Sequence, residues 1–375
     1  MYISKADSLR WFEFFSQLSE NEQPLSAKQT EIAYAVLSQI ELATEALHET
    51  ERKKIPGLKT LKDRTYYIGN DAHFPKGCVS CLLGSGLTAI RKTNRCNAAC
   101  PFCYDYGMLD SIAPIGEGMW DIGGTRFRTE DIPMLLDIYP KPSGVAYVYL
   151  EPFMEIEKYY PVVAEFAKAG VYQHLYTNGI SANKENLRAL GDAGLNEIRF
   201  NLGASLCADK VLENICAAKE RIPMVGVETP MTNEFYKIFD RKYKSVLQTG
   251  IDFINFAELH LNPNNLQNYF GENLYMYRHG YVSPISSRLL TLKTMQKAAR
   301  DNWGVVIHDC CNRTKFFRDL HLKAKEGGWF GLSAYGCEFD EIPFEAFLPV
   351  LSDDNFRFLK EEELPKGYRI GELVL

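Results

Sequence analysis

The sequence GLTAIRKTNRCNAACPFCYDYG, residues 86–107, decides the fold of this chain. It begins with a short apolar run, Leu87 to Lys92, that predicts a β-strand. The loop directly after this strand carries Cys96, Cys100 and Cys103 at a C-x3-C-x2-C spacing. Three thiolates in one tight loop hold three irons of a 4Fe-4S cluster and leave the fourth iron without a protein ligand. An iron that is open in this way binds a substrate or a cofactor.

A structural zinc site is an alternative interpretation of the same loop. Such sites use four closed ligands, commonly in two separated pairs. This loop itself supplies no fourth cysteine or histidine, so the spacing favours the iron-sulfur cluster. A further alternative is that the three thiols are ordinary buried side chains.

The composition is that of an ordinary globular protein. The chain has 375 residues, of which 46% are hydrophobic and 24% charged, enough for two or three compact units. The formal net charge of -6 gives no general attraction to nucleic acid or to membranes, and neither is expected as a partner. No signal peptide or membrane-spanning run is evident. We therefore expect a cytoplasmic protein whose ten cysteines stay reduced.

Short apolar runs alternate with helical stretches after residue 86, a pattern that predicts parallel strands joined by helices. The six predicted strands are Leu87 to Lys92, Gly144 to Leu150, Tyr172 to Tyr176, Glu197 to Asn201, Met224 to Glu228 and Phe253 to Leu259. The helices between them are predicted near Pro161 to Ala169, Lys184 to Ala193, Cys207 to Lys219 and Asn233 to Thr249. Six such units indicate an α/β fold, a partial parallel (β/α)6 barrel with its reactive groups at the C-terminal strand ends.

Three segments are expected along the chain. Residues 1–75 form a helical N-terminal extension, because apolar side chains between Ser26 and Lys54 recur at helical spacing. Residues 76–310 form the partial barrel, which ends with a helix near 288–302 and a strand at 304–308. Residues 311–375 form an irregular C-terminal tail that would complete an auxiliary metal site.

The cysteine triplet, with Phe102 just before its last member, resembles the radical S-adenosylmethionine (radical SAM) superfamily. The resemblance covers roughly residues 84 to 262. It implies that a reduced 4Fe-4S cluster cleaves SAM to methionine and a 5'-deoxyadenosyl radical, which takes hydrogen from an unactivated carbon. It also implies an external electron donor of the flavodoxin or ferredoxin type, and it places Phe102 among the cofactor-binding residues.

The same resemblance implies a SAM site at successive strand ends. Tyr149-Leu150-Glu151-Pro152 stands where the family usually carries Gly-Gly-Glu-Pro, which holds the SAM amino group, and only Glu151 and Pro152 match. Asn178 belongs to a Thr-Asn-Gly sequence like that of the family's third strand. The resemblance also implies Arg199 for the SAM carboxylate and Asn201 for its ribose. Glu228, at the end of the fifth predicted strand, would close over the adenine. Taken singly, Asn178 also suits a left-handed turn, and Arg199 a surface ion pair.

A second set of cysteines predicts an auxiliary metal site. Cys78 and Cys81 form a C-x2-C pair before the triplet, and Cys310, Cys311 and Cys337 lie far downstream. With the later HDCCNRTKFFRDL, this pattern resembles an uncharacterised radical SAM group related to pyruvate formate-lyase activating enzymes, in which Cys310 has a counterpart. We expect Cys78, Cys81, Cys310 and either Cys311 or Cys337 to bind an auxiliary 4Fe-4S cluster or zinc. The alternative is that they are buried core thiols.

The candidate catalytic residues follow the sixth predicted strand. His260 would orient the substrate or move a proton. Tyr277 and His279 stand in a polar, aromatic stretch that would cover the site. The alternatives are that His260 is a structural histidine and that the stretch packs on the barrel rim.

The expected substrate is a small polar metabolite of the amino acid or nucleoside type. This expectation rests on the lack of a long multi-cysteine C-terminal extension of the kind seen in many peptide-modifying relatives. The alternative within enzymes is a peptide- or protein-modifying radical SAM enzyme, including a glycyl-radical activase. Outside enzymes, the alternative is an iron-sulfur or zinc protein that transfers electrons or binds metal without cleaving SAM.

Overall fold

A computed structural model describes residues 44–61, 65–83, 87–109, 112, 114–122, 125–138, 144–262, 264–269, 272, 274–276, 282–312 and 314–315. Three predicted site residues, Tyr277, His279 and Cys337, lie outside the described residues. Most of the predicted C-terminal tail and the first part of the N-terminal extension lie outside them as well. Among the described residues, no helix combines the length and the apolar character that crossing a membrane requires.

Strands of the structure are numbered along the chain. They are β1 (Lys59–Leu61), β2 (Thr65–Ile68), β3 (Leu87–Arg91), β4 (Met119–Ile122), β5 (Thr125–Arg128), β6 (Val145–Tyr147), β7 (Gln173–Thr177), β8 (Glu197–Phe200), β9 (Met224–Met231), β10 (Phe253–Glu258), β11 (Leu274–Met276), β12 (Val282–Pro284) and β13 (Val306–Cys310). All but β11 and β12 form one sheet in the order β1-β2-β13-β10-β9-β8-β7-β6-β3-β4-β5. Its central strands run parallel, and the antiparallel pairs lie at its two ends.

The helices connect these strands. They are α1 (44–52), α2 (Lys76–Leu83), α3 (Ile132–Ile138), α4 (Tyr159–Lys168), α5 (Lys184–Asp192), α6 (Leu202–Ser205), α7 (Asp209–Lys219), α8 (Asn233–Gln248) and α9 (Ile285–Arg300). Apolar side chains of these helices are fully buried against the sheet, among them Phe166, Leu187, Ile215 and Leu292. This apolar layer fixes one face of the sheet.

The prediction of an α/β fold is confirmed. All six predicted parallel strands are present, as β3, β6, β7, β8, β9 and β10. The sheet is open in the described part of the chain, with β1 and β5 at its ends. A partial barrel therefore stays a prediction, as do the three segment boundaries.

Two hairpins differ from the expectation. Strands β1 and β2 lie within residues 1–75, the stretch predicted as helical, and pair with each other before β2 joins β13. Strands β4 and β5 extend the other end of the sheet. All four strands are only three or four residues long, too short for a periodic apolar pattern to identify them.

The opposite face of the sheet carries helix α2. The backbone nitrogen of Gly77 lies 3.3 Å from Oε2 of Glu197 in β8. A Cβ atom at Gly77 would lie 2.5 Å from Nη2 of Arg199 and 2.9 Å from the ring of His174, so only glycine permits this approach. We call this side of the sheet the α2 face.

Candidate active site

The cysteine triplet lies in one loop that follows β3. The backbone nitrogen of Cys103 donates to the carbonyl oxygen of Cys100 at 2.9 Å, which closes a tight turn within the loop. All three thiols are partly exposed. Burial, together with the nearby Cys103 and Cys96 thiols, raises the pKa of Cys100 to about 12. The fold therefore brings the three sulfur atoms close enough to influence one another.

The donor set of this loop fits a 4Fe-4S cluster. Three thiols share one loop, which is the arrangement that binds three irons and leaves one open. Within the described residues, no group of three or more Cys, His, Asp or Glu side chains is placed to hold a single metal ion. Each cysteine of a 4Fe-4S cluster binds a different iron, so the three sulfur atoms need not surround one ion. The loop fits the cluster because it supplies three thiols in one short segment.

Glu151 joins the ends of two neighbouring strands, β6 and β7. Its carboxylate is fully buried and accepts hydrogen bonds from the Phe153 nitrogen at 3.0 Å, the Thr177 hydroxyl at 2.7 Å and the Asn178 nitrogen at 2.6 Å. Burial raises the pKa of Glu151 to about 7, although these three bonds oppose the shift. Glu151 therefore acts as an internal clamp, and Pro152 begins the short buried turn after it.

Asn178 extends this clamp to the cysteine loop. Its Nδ2 donates to Oδ1 of Asn97 at 2.7 Å and lies 3.9 Å from Sγ of Cys96. Its Oδ1 accepts from the backbone nitrogen of Ile180 at 2.9 Å. Asn178 thus lies beside the first cysteine of the triplet, at the strand end where it was expected.

The residues before Glu151 adopt a backbone conformation that favours glycine. Tyr149 and Leu150 have φ angles of 103° and 55°, in the left-handed region that side chains disfavour. The backbone nitrogen of Glu151 then donates to the carbonyl oxygen of Arg95, at 3.1 Å, directly before the triplet. Glycine adopts such φ angles without strain, and these are the two positions that align with the glycines of the Gly-Gly-Glu-Pro run.

Arg199 lies on the α2 face rather than at an open strand end. Its guanidinium forms ion pairs with Glu197 and Glu228, and it donates to the hydroxyl of Tyr176 at 3.0 Å. Arg199 is only 2% exposed. Arg199 and Glu228, which were both predicted to bind SAM, therefore form an ion pair with each other, and Glu197 is the second partner of Arg199.

Phe102 and Asn201 meet at the turn between β8 and α6. Oδ1 of Asn201 caps α6 by accepting from the Ala204 nitrogen at 3.2 Å, and it accepts from the Thr229 hydroxyl at 2.9 Å. A Cβ atom at Gly203 in this turn would lie 3.3 Å from the Phe102 ring. The structure thus brings the cysteine loop against the end of β8, where SAM contacts were expected.

Asparagine side chains brace the cysteine loop, a role that the sequence did not reveal. Their Nδ2 atoms donate to backbone carbonyl oxygens within residues 101–104, at distances of 2.8–3.2 Å. The donors are Asn262 and Asn264 to Tyr104, Asn265 to Phe102 and Asn268 to Pro101. The only sign in the sequence that these side chains contact the cysteine loop is the clustering of four asparagines within residues 262–268.

His260 lies at the same edge of the sheet. Its Nδ1 is hydrogen-bonded to the hydroxyl of Tyr104, next to the last cysteine of the triplet. Burial lowers the pKa of His260 to about 3, so the imidazole is neutral near pH 7. The structure therefore places His260 against the cysteine loop.

The second set of cysteines is partly brought together. Cys78 and Cys81 lie on α2, and Cys310 ends β13. Cys310 raises the pKa of Cys78, and Cys81 raises that of Cys310, in both cases after the larger effect of burial. Cys311 lies on the other side of β13, with its sulfur 3.2 Å from the Thr314 hydroxyl and close to Arg288. The auxiliary metal itself stays a prediction.

No family model matches the chain. A curated relative, the PqqA peptide cyclase of Methylocella silvestris, is 31% identical over 114 residues, which are 29% of this chain and 27% of that protein. That relative is a radical SAM enzyme, and the loop after β3 carries the cysteine triplet of this superfamily. The predicted resemblance to radical SAM enzymes is confirmed over these 114 residues. It spans about a quarter of the length of the curated relative it matches.

Solved structures of low similarity include other radical SAM enzymes. The chain resembles Streptococcus suis SuiB bound to S-adenosylmethionine, with 12% identity over 58% of this chain and 49% of that one, and a TM-score of 0.43. SuiB bound to its precursor peptide SuiA gives 13% identity, 62% and 50% coverage and a TM-score of 0.41. Methylornithine synthase gives 13% identity, 78% and 84% coverage and a TM-score of 0.37. All three TM-scores lie below 0.5, and nothing about this chain is inferred from them.

The preference for a small-molecule substrate over a peptide was wrong. The curated relative that matches this chain is named for its action on a peptide. The expectation rested on the lack of a long multi-cysteine extension. That feature concerns auxiliary clusters and does not determine what the radical attacks.

Proposed function

We propose that this radical SAM protein is a peptide-modifying enzyme that binds a 4Fe-4S cluster through Cys96, Cys100 and Cys103 and cleaves SAM reductively. The observation that carries the proposal is the cysteine loop, which is braced by Asn178 on one side and by the asparagines after β10 on the other. When bound, the cluster and SAM supply a 5'-deoxyadenosyl radical that abstracts hydrogen from the substrate.

The residues around the loop prepare this site by holding it in one geometry. Glu151 fixes the ends of β6 and β7 relative to each other, and Asn178 passes that constraint to Asn97 beside Cys96. The left-handed backbone at Tyr149 and Leu150 precedes the Glu151 nitrogen, which donates to the Arg95 carbonyl oxygen directly before the triplet. Strain of this kind is retained where a binding site requires it. We assign contacts with the SAM amino group to this backbone.

We further propose that the parallel strands form a partial barrel around this site. The cysteine loop, the turn at Asn178 and the turn at Asn201 follow the C-terminal ends of β3, β7 and β8. Reactive groups of parallel (β/α) barrels lie at this end. Helix α2 covers one face of the sheet, as an element filling the interior of an incomplete barrel would.

A peptide substrate is supported by the surface next to the site. Most of the large hydrophobic side chains exposed in the described part of the chain follow C-terminal strand ends. They are Tyr104 and Met108 after β3, Ile180 after β7 and Leu206 after β8. Exposed apolar side chains that gather at one edge mark a surface that binds another molecule. The curated relative also acts on a peptide.

His260 has a positioning role in this proposal. A neutral imidazole accepts a hydrogen bond from the Tyr104 hydroxyl through Nδ1. This bond holds the exposed Tyr104 ring at the rim, beside Cys103. His260 therefore shapes the peptide surface rather than acting as an acid at neutral pH.

Reductive SAM cleavage tests the enzyme assignment. The anaerobically reconstituted protein, reduced with dithionite, should convert SAM into 5'-deoxyadenosine and methionine. Changing Cys96, Cys100 and Cys103 together to alanine should abolish both products, because no ligands for the cluster remain. Cys216→Ala, which changes an exposed cysteine in α7, is the matched control and should leave the rate unchanged. Cleavage retained by the triple variant contradicts the assignment.

A protease treatment tests the substrate class. Extract fractions below about 10 kDa are added to the reduced enzyme, and the fraction that stimulates 5'-deoxyadenosine formation is digested exhaustively with a nonspecific protease. A peptide substrate predicts that the stimulation disappears after digestion. Stimulation that survives digestion contradicts the peptide proposal and leaves SAM cleavage itself unaffected.

A further inference from the structure

The side chain of Tyr149 contacts the cysteine loop. Tyr149 stands two residues after β6, and its hydroxyl donates to Oδ1 of Asp105 at 3.2 Å. Asp105 itself follows Cys103, the last cysteine of the triplet, by two residues. Burial, together with the Asp105 carboxylate, raises the pKa of Tyr149 to about 12. The phenol therefore keeps its proton near neutral pH and is the donor of this bond.

Asp105 is also bonded to the last cysteine of the triplet. Its backbone N–H hydrogen-bonds the Cys103 sulfur, which opposes the rise that burial causes in the pKa of Cys103. Its carboxylate acts on this thiol in the opposite sense, because a nearby negative charge disfavours a thiolate. The Tyr106 nitrogen closes the turn by donating to the carbonyl oxygen of Cys103 at 3.2 Å. Tyr149 thus holds the residue whose N–H is bonded to a proposed cluster ligand.

Arg91 fixes the Tyr149 ring from another side. Its guanidinium carbon lies 4.8 Å from the ring centroid, within the range of a cation–π contact. Arg91 ends β3 and is paired with Asp121 in the antiparallel ladder of β3 and β4, and its Nε donates to Oδ1 of Asp121 at 3.0 Å. Asp121 is only 2% exposed, so this arginine is anchored in the core. The Tyr149 side chain is therefore held both by a fixed cation and by the cysteine loop.

The backbone of Tyr149 has a conformation that is costly for a tyrosine. Its φ is 103°, an angle that glycine adopts without strain and that residues with side chains disfavour. Strained residues persist where the surrounding contacts determine their conformation, and they gather at functional sites. The contacts with Asp105 and Arg91 are of this kind. The side chain of Tyr149 therefore contributes something that a glycine with the same backbone would lack.

We propose that Tyr149 is a positioning residue that holds Asp105 against Cys103 and thereby sets the reduction potential of the cluster. The inference rests on the proposed function, in which Cys103 binds an iron of the 4Fe-4S cluster. Hydrogen bonds to the cluster sulfurs and nearby charges tune the potential of such a cluster. The phenol acts on both, because it keeps the Asp105 N–H in place and offsets part of the negative charge of the carboxylate.

Hydrogen exchange of the metal-free protein tests the positioning role. Tyr149→Phe and Asp105→Ala remove the same hydrogen bond from its two ends, so each should speed deuterium uptake in a peptide that covers residues 101–108. The double variant should be no faster than the faster single variant, since only one bond is lost. Tyr160→Phe, which removes a 3.2 Å bond to Asn186 between α4 and α5, is the matched control. Uptake that stays at the wild-type rate in Tyr149→Phe and Asp105→Ala overturns the proposal.

The midpoint potential of the reconstituted cluster tests the effect on the cluster. It is measured without SAM, in a redox titration followed by electron paramagnetic resonance. We expect a more negative potential in Tyr149→Phe than in wild type, because the charge of Asp105 is no longer offset and its N–H is less fixed. In the Asp105→Asn background, which lacks that charge, Tyr149→Phe should cause a smaller shift. Tyr160→Phe should leave the potential unchanged.

The two measurements separate this proposal from the proposed function. A cluster that forms in Tyr149→Phe with the wild-type potential overturns the role of Tyr149 and leaves the function of the triplet intact. A wild-type protein that binds no cluster contradicts the proposed function and, with it, the role of Tyr149 in the potential. Hydrogen exchange tests the contact between Tyr149 and Asp105 in either case.

Discussion

The carboxylate of Glu151 accepts a hydrogen bond from the backbone nitrogen of Asn178 across 2.6 Å. This contact ties the end of β6 to the end of β7, two strands that are adjacent in the sheet. The Asn178 side chain then reaches Asn97 in the cysteine loop. A short chain of hydrogen bonds therefore links a buried carboxylate to the loop that is proposed to bind the cluster.

Replacing Asn178 by aspartate should weaken cluster binding. The carboxylate of Asn178→Asp cannot donate to Asn97, and its negative charge lies near the Cys96 sulfur, which is a thiolate when it binds iron. We expect faster loss of iron from the reconstituted protein during incubation with a chelator. Asn302→Asp, an exposed position at which aspartate tolerates the left-handed backbone, is the control. Equal rates of iron loss in the two variants would refute the role of Asn178.

Glycine at position 150 should stabilise the protein relative to alanine. Leu150 has a φ of 55°, and the left-handed conformation costs a side-chain-bearing residue about 1 to 2 kcal/mol. Leu150→Gly and Leu150→Ala both remove the leucine side chain, so their difference isolates the backbone strain. Denaturant unfolding should show the glycine variant to be more stable by about 1 kcal/mol. Where the native φ is negative, a glycine variant is less stable than the alanine variant. A Leu150→Gly protein less stable than Leu150→Ala would therefore contradict the positive φ at this turn.

Arg199→Met should destabilise the protein itself. The substitution leaves the carboxylates of Glu197 and Glu228 without their cation, and breaking a buried ion pair costs about 3 to 5 kcal/mol. Adding Glu197→Gln to Arg199→Met should recover part of this loss. Arg188→Met, which breaks an exposed pair with Asp192, should cost less than about 1 kcal/mol. Unfolding of the metal-free protein in urea measures all three variants against wild type, and a small effect of Arg199→Met would show that Arg199 is free to bind a ligand.

The stability of the protein should depend on the protonation of Glu258. This fully buried carboxyl accepts from the Asn312 nitrogen at 2.6 Å, and burial raises its pKa from 4.5 to about 7. The folded state thus binds the proton more tightly than the unfolded state. The contribution of Glu258 to the free energy of unfolding falls as the pH rises from about 4.5 to about 7.

The difference between wild type and Glu258→Gln measures this effect. The glutamine keeps an acceptor for Asn312 but never ionises. Its stability relative to wild type should rise by about 3 kcal/mol between pH 4.5 and 7.5, since each pKa unit corresponds to about 1.4 kcal/mol. Glu213→Gln, at an exposed position in α7, is the control. A relative stability of Glu258→Gln that does not change with pH would exclude a raised pKa of Glu258.

The central strands could be predicted from the sequence because most of their residues are buried, and buried strands are rich in apolar residues. The runs that became β6, β9 and β10 are mainly apolar and mostly buried. Strands β1 and β5 carry charged and polar side chains and lie at the ends of the sheet. Their pairing depends on neighbours distant in sequence, which a local pattern does not contain.

In the site, too, features that depend on local sequence could be predicted, and contacts between distant segments could not. The cysteine triplet was predicted because its spacing is local, and Glu151 and Asn178 because their Glu-Pro and Thr-Asn-Gly sequences resemble motifs of the radical SAM superfamily. Arg199 was expected to face SAM, whereas its partners Glu197 and Glu228 come from β8 and β9 and follow only from the sheet register. The positive φ of Leu150 could not be predicted from the sequence, because leucine rarely adopts such an angle.

The low-temperature electron paramagnetic resonance spectrum of the anaerobically reconstituted, reduced protein, recorded with and without SAM, tests the central claim most directly. The account predicts a 4Fe-4S signal that changes when SAM is added and that is absent from the variant with Cys96, Cys100 and Cys103 changed to alanine. A signal indifferent to SAM, or one that survives in this variant, would contradict the assignment of the triplet as the SAM-binding cluster site.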